Sequence, residues 1–86
     1  MKNVEYCYLL VRTDELGNTR IINVYKSWDS AMYYCEKQCE RINNRSKDDL
    51  QIKRLDENVY CVTHKLEDDD IEILYTFRIF KRQLVN

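Results

Sequence analysis

At 86 residues the chain has room for one small core and no second domain, so 1–86 is read as a single domain. One glycine and no proline leave no place for flexible linkers, and no internal repeat is present. The net charge of −1 disfavours a polyanion or an anionic membrane as partner, because no strong field is available to hold either.

Val4 to Arg12 is β-branched and aromatic, with Tyr6, Tyr8 and Leu10 on one side and Cys7, Leu9 and Val11 on the other, as in a strand covered on two faces. Asp14 to Asn18 is a short connection in which Gly17 or Asn18 takes positive φ, so Thr19 to Tyr25 is expected to return antiparallel. Alternation places Ile22 and Val24 on one side of that strand and Ile21, Asn23 and Tyr25 on the other.

Ser27 to Asn43 is the one segment with helical spacing. Trp28, Ala31, Met32, Cys35, Cys39 and Ile42 fall in one arc at about 100° per residue, with Asp29, Glu36, Lys37, Glu40 and Arg41 outside it. Ser27 is placed to cap the first turn, Asp29 and Arg41 complement the helix dipole, and Asn43-Asn44 supplies a stop.

Asn44 to Asp49 reads as polar loop, Leu50 to Leu55 as a weakly alternating strand, and Asp56-Glu57-Asn58 as a turn. Val59 to His64 resumes strand character and Leu66 to Asp70 is an acidic turn. Ile71 to Lys81 is expected to be the longest strand and a central one, setting Ile71, Ile73, Tyr75, Phe77 and Ile79 against Glu72, Leu74, Thr76, Arg78 and Phe80. The chain is therefore expected to be an α+β domain of order ββαβββ, one amphipathic helix on a mainly antiparallel five-stranded sheet.

Such a sheet is about 24 Å across at roughly 4.8 Å per strand, while a helix is roughly 10 Å wide. One face is left without a helix. The expectation is that this face carries Tyr6, Tyr8, Leu10, Tyr25, Tyr60, Val62 and Phe80, and that Tyr6, Tyr8, Leu10, Tyr25, Tyr60 and Phe80 form a surface for a protein partner. That partner is either a second copy, making a homodimer, or a foreign target. An edge strand pairing with a target strand is a further route.

The residues suited to chemistry are few. Cys35-x3-Cys39 with Cys61-x2-His64 has nominal zinc spacing, but Cys61 and His64 are three apart on a strand and point to opposite faces. Cys7 in place of His64 would put a charged cluster in the only core. The four cysteines are read as buried reduced thiols, with no metal and no cofactor, in a chain without a membrane span or signal peptide and so expected in the cytoplasm. His64 is the only histidine, and no cysteine stands where its pKa would fall, so no catalytic residue is assigned. Glu67 to Asp70 lacks the spacing of a calcium loop and reads as a solvated turn. The alternative function is a single-stranded nucleic-acid-binding domain that stacks bases on sheet aromatics beside Arg12, Arg20, Arg54 and Arg78.

Residues 4 to 43 combine a hairpin with Asp14-x-x-Gly17-Asn18, then Val24-Tyr25-Lys26-Ser27, then a helix carrying Ala31. In this the chain resembles small proteins of bacteriophages and prokaryotic mobile elements that open with a hairpin and a capped helix. The resemblance implies no catalytic residues. It implies a viral protein that acts sterically, by occupying a surface of a host protein, including components of host defence, within the host cytoplasm.

Overall fold

The computed structural model describes residues 5–46, 50–68 and 70–84. The expectations for Val4, for 47–49 of the polar loop and for Asp69 of the acidic turn lie outside the described residues. The elements are β1 (Glu5–Asp14), β2 (Thr19–Tyr25), α1 (Trp28–Arg45), β3 (Leu50–Asp56), β4 (Val59–Lys65) and β5 (Ile71–Leu84). The order is ββαβββ, and all five strands join one antiparallel sheet in the order β2-β1-β5-β4-β3. β5, with 14 residues, is the longest strand and the middle one.

Local chemistry accounts for the helix and the first turn. Ser27 is extended and its hydroxyl accepts a hydrogen bond from the Ser30 amide, 3.1 Å, which satisfies one of the orphan donors of the first turn of α1. The helix runs two residues past the expected stop, to Arg45, where the Ser46 amide donates to the Asn43 carbonyl. In the hairpin Gly17 has φ 85°, and Asp14 Oδ1 accepts from the amides of Leu16 and Asn18 at 3.0 and 2.9 Å. These bonds hold the Asp14 carboxyl below its usual range, the Asn18 amide having the largest effect.

The core lies between α1 and one face of the sheet. Ala31, Cys35 and Cys39, spaced four apart on the helix, meet Leu10, Val62, Phe77 and Ile79 from three strands, and none of the seven is more than 1% exposed. Three short side chains let the helix axis approach the sheet closely, and the larger strand residues fill the space on either side.

Three one-residue bulges break the alternation along the strands. The extra residue is Ile22 in β2, Leu74 in β5 and Leu55 in β3, as the pairing register moves between Leu10/Val11, Val62/Thr63 and Arg54/Asp56. Two expected faces change as a result. In β2, Ile22 turns to the core while Val24 pairs with Leu9 on the other side. In β5, Tyr75, Phe77 and Ile79 face the helix, but Ile71 and Ile73 beyond the bulge are 55% and 50% exposed on the opposite side.

Candidate functional site

The six residues expected to form a partner surface do not share an open face. Tyr8, Leu10, Tyr25 and Tyr60 lie on the helix side of the sheet. Leu10 is fully buried, Tyr60 is 6% exposed and donates its hydroxyl to Glu36 Oε1 at 3.1 Å, and Tyr8 sets its ring edge-on to Trp28 with centroids 5.9 Å apart. Burial, and then the bond to the Glu36 carboxylate, push the Tyr60 phenol up. Tyr25 stacks on Tyr34, 5.1 Å between centroids at 9°. Tyr6, on the same side of β1, is 41% exposed, with the Lys81 ammonium 4.1 Å from its ring centroid. Val62 is fully buried beneath the helix as well. Of the expected set, Phe80 alone is on the face without a helix. The correction has one cause: α1 settles on the side of Leu10, Val62, Phe77 and Ile79, where Trp28, Tyr34 and Glu36 meet the tyrosines, and the other side carries no helix.

That open face is built in rows across the strands. One row is Val24, Leu9 and Phe80; the next is Ile21, Val11, Arg78 and Val59; below them Thr19 and Thr13 join their hydroxyls at 3.0 Å beside Thr76. Ile21 and Val24 are 60% and 51% exposed, and Leu9, Val11, Val59 and Phe80 are half-buried. Arg78 stands within the second row, Asp56 follows Val59 at the end of it, and the Arg82 guanidinium lies 5.3 Å from the Phe80 ring centroid. The result is an apolar patch across β2, β1 and β5 with Arg78 inside it and Arg82 and Asp56 at its border.

A second surface was not read from the sequence. On the outer side of α1, Tyr33 and Tyr34 are 55% and 47% exposed and meet edge-to-face at 5.1 Å, extending the Tyr25 stack. The Lys37 ammonium is 5.4 Å from the Tyr33 centroid and pairs with Glu40 at 3.4 Å. Tyr33, Tyr34, Lys37, Glu40, Arg41, Asn44 and Arg45 line a shallow depression of about 470 Å³. Two tyrosines outside the apolar arc of an amphipathic helix were the available signal.

The nominal zinc ligands are divided by the sheet. Cys35 and Cys39 are in the core, Cys61 points to the face without a helix but is itself buried, and His64 is on the helix side with Nδ1 4.0 Å from Glu72 Oε2. Cys7, opposite Arg82, is six residues along β5 from Thr76, which faces Cys61, a separation of about 20 Å. Among the described residues no three of His, Cys, Asp or Glu converge as metal ligands. The hydrogen bond between the two helix thiols, together with burial, pushes Cys35 far up and leaves it a packing residue. No described helix is long and apolar enough to cross a membrane.

No protein family, no characterised protein and no solved structure matches this chain.

Proposed function

We propose that this chain is a non-enzymatic protein-binding module and that its contact surface is the open face of the sheet. One observation carries the reading: an aliphatic patch centred on Leu9 and Val11, with Ile21 and Val24 about half exposed, stands on the face without a helix, while α1 covers the middle of the opposite face. Apolar burial contributes about 25 cal/mol per Å², which makes such a surface a place for another protein to sit, with Arg78 within it and Arg82 and Asp56 beside it setting orientation. Action is steric. The resemblance of residues 4 to 43 to small phage proteins adds the more concrete version, an inhibitor occupying a surface of a host protein.

The test is capture from a bacterial lysate by immobilised wild type, Val11→Lys and Tyr33→Ala. A partner held by the wild type and by Tyr33→Ala, and released by Val11→Lys, is the expected result. A partner lost only with Tyr33→Ala moves the contact to the helix and defeats the reading.

A second reading has its own observation. Single-stranded nucleic acid cannot stack on Tyr8, Tyr25 or Tyr60, which are under the helix, but Tyr33 and Tyr34 beside Arg41 and Arg45 offer rings next to cations. If both arginines contact phosphates, a labelled single-stranded oligonucleotide should bind about sevenfold more weakly at 200 mM than at 50 mM salt. Fluorescence anisotropy showing no binding at 50 mM removes this reading.

A further inference from the structure

We infer that the β1–β2 hairpin carries an anion site in which Arg12 and Arg20 together hold a phosphate group. The site lies neither on the open face nor on the outer side of α1, and it goes beyond both readings given above.

Register makes the pair. Arg12 of β1 stands directly opposite Arg20 of β2. Their Cβ atoms are therefore about 4.5–5.5 Å apart, and both side chains leave the sheet on the side of Leu10. Like charges in that arrangement oppose strand pairing. Among the described residues neither arginine forms an ion pair, so the repulsion is not relieved within the hairpin. A multiply charged anion between the two guanidiniums relieves it.

The surroundings suit such an anion. The Arg12 guanidinium is 5.3 Å from the centroid of the Tyr75 ring, which holds it in place before any ligand arrives. Arg20 is exposed and able to swing onto a ligand. With Asp14, Asn18 and Thr19 the two arginines line an open hollow of about 450 Å³, within the range of about 300–1,000 Å³ common to small-molecule sites. Asp14 is the one carboxylate of that lining. Its Oδ1 accepts from the amides of Leu16 and Asn18, and its Oδ2 from Asn18 Nδ2 at 3.4 Å, so the turn engages it. Two guanidiniums against one carboxylate leave the lining positive.

Two guanidiniums also select the kind of anion. Each presents parallel N–H donors that match a pair of oxygens. A carboxylate has one such pair and fills one guanidinium. A phosphate monoester has three terminal oxygens and a charge of about −1.5 to −2, and serves both at once. Free phosphate and a small ester share this chemistry.

Nuclear magnetic resonance titration of the full chain at constant ionic strength tests the inference, with inorganic phosphate, glycerol 3-phosphate and acetate as probes. The wild type should show saturable shifts at Arg12, Asn18, Thr19 and Arg20 with both phosphates, and acetate should bind about tenfold more weakly. Arg20→Gln, at an exposed side chain, should lose about tenfold in phosphate affinity, and Arg12→Gln at least as much. Asp14→Asn keeps the oxygen that accepts from Leu16 and Asn18 while removing a charge that repels the anion, so it should bind phosphate more tightly. Should Arg12→Gln fail to fold, Arg20→Gln decides. Tighter binding of glycerol 3-phosphate than of inorganic phosphate assigns the site to an ester, and equal affinities assign it to the free ion. Shifts that do not saturate, shifts centred on Arg41 and Arg45, acetate binding as tightly as phosphate, or an unchanged affinity in Arg20→Gln overturns the inference. None of these results bears on the lysate capture, which tests the open face.

Discussion

Phe77 and Ile21 are both large apolar strand residues, and the structure gives them opposite weight. Phe77 is fully buried between α1 and the centre of the sheet, and Ile21 is 60% exposed. Phe77→Ala removes a ring from a packed site and should cost about 3–5 kcal/mol, a large share of the roughly 4–13 kcal/mol that holds a domain of this size. Ile21→Ala, at a side chain 60% in solvent, should stay within about 0.5 kcal/mol. Urea denaturation of the two variants checks the pair, and the reverse order would contradict the assignment of layers. At this scale the helix residues were legible. Ala31, Cys35 and Cys39 fall in the apolar arc and are the buried residues of α1, because the 3.6-residue repeat alone decides which side of a helix is apolar. Tyr33 and Tyr34 escaped that reading, since a ring stacked on the polar side depends on what stands beside it, here Tyr25.

The first hairpin carries two opposed titrations. Asp14, held low by the Asn18 amide, contributes stability that is present above its unfolded pKa near 3.8 and is lost as pH falls through the lower folded value. Glu15 is the reverse case. A hydrogen bond with the Glu72 carboxyl, and then repulsion between the two charges, raise its pKa above the ordinary 4.5. Its stabilising contribution is complete below 4.5 and disappears as pH rises through the folded value, so at neutral pH the two carboxylates oppose folding. Glu15→Gln is therefore expected to raise the melting temperature at pH 7, with a gain that shrinks as the pH is lowered past 4.5. Scanning calorimetry at several pH values checks it, and a gain that grows in acid would refute the pairing. The hairpin and the helix start were readable because each is closed by residues within four positions of one another: Asp14 with Leu16 and Asn18, Ser27 with Ser30.

The whole molecule is closed by a contact between its two ends. β1 pairs with β5 over ten residues, from Glu5 with Leu84 to Asp14 with Tyr75, and this places the N-terminal hairpin beside the C-terminal meander. The two strands are flanked on both sides, while β2 and β3 are edges. Amide exchange should accordingly be slowest in the centres of β1 and β5 and fastest in β2 and β3, read by mass spectrometry after proteolysis. Slower exchange in β2 than in β5 would contradict the edge position of β2.

Element order, the single helix, its cap, the central place of β5 and the antiparallel sheet are properties of short segments, and a sequence states them through period, composition and turn residues. Which face α1 covers is not such a property. Both sides of β1 are apolar, so alternation groups Tyr6, Tyr8 and Leu10 apart from Cys7, Leu9 and Val11 without saying which group is sealed. The bulges at Ile22 and Leu74 then exchange faces within a strand, and their positions depend on the register with β1 and β4, which exists only once the sheet is assembled. Which sheet face stays without a helix was therefore decided by tertiary packing: Ala31, Cys35 and Cys39 fit over Leu10, Val62, Phe77 and Ile79, and the aliphatic rows on the other side carry no helix.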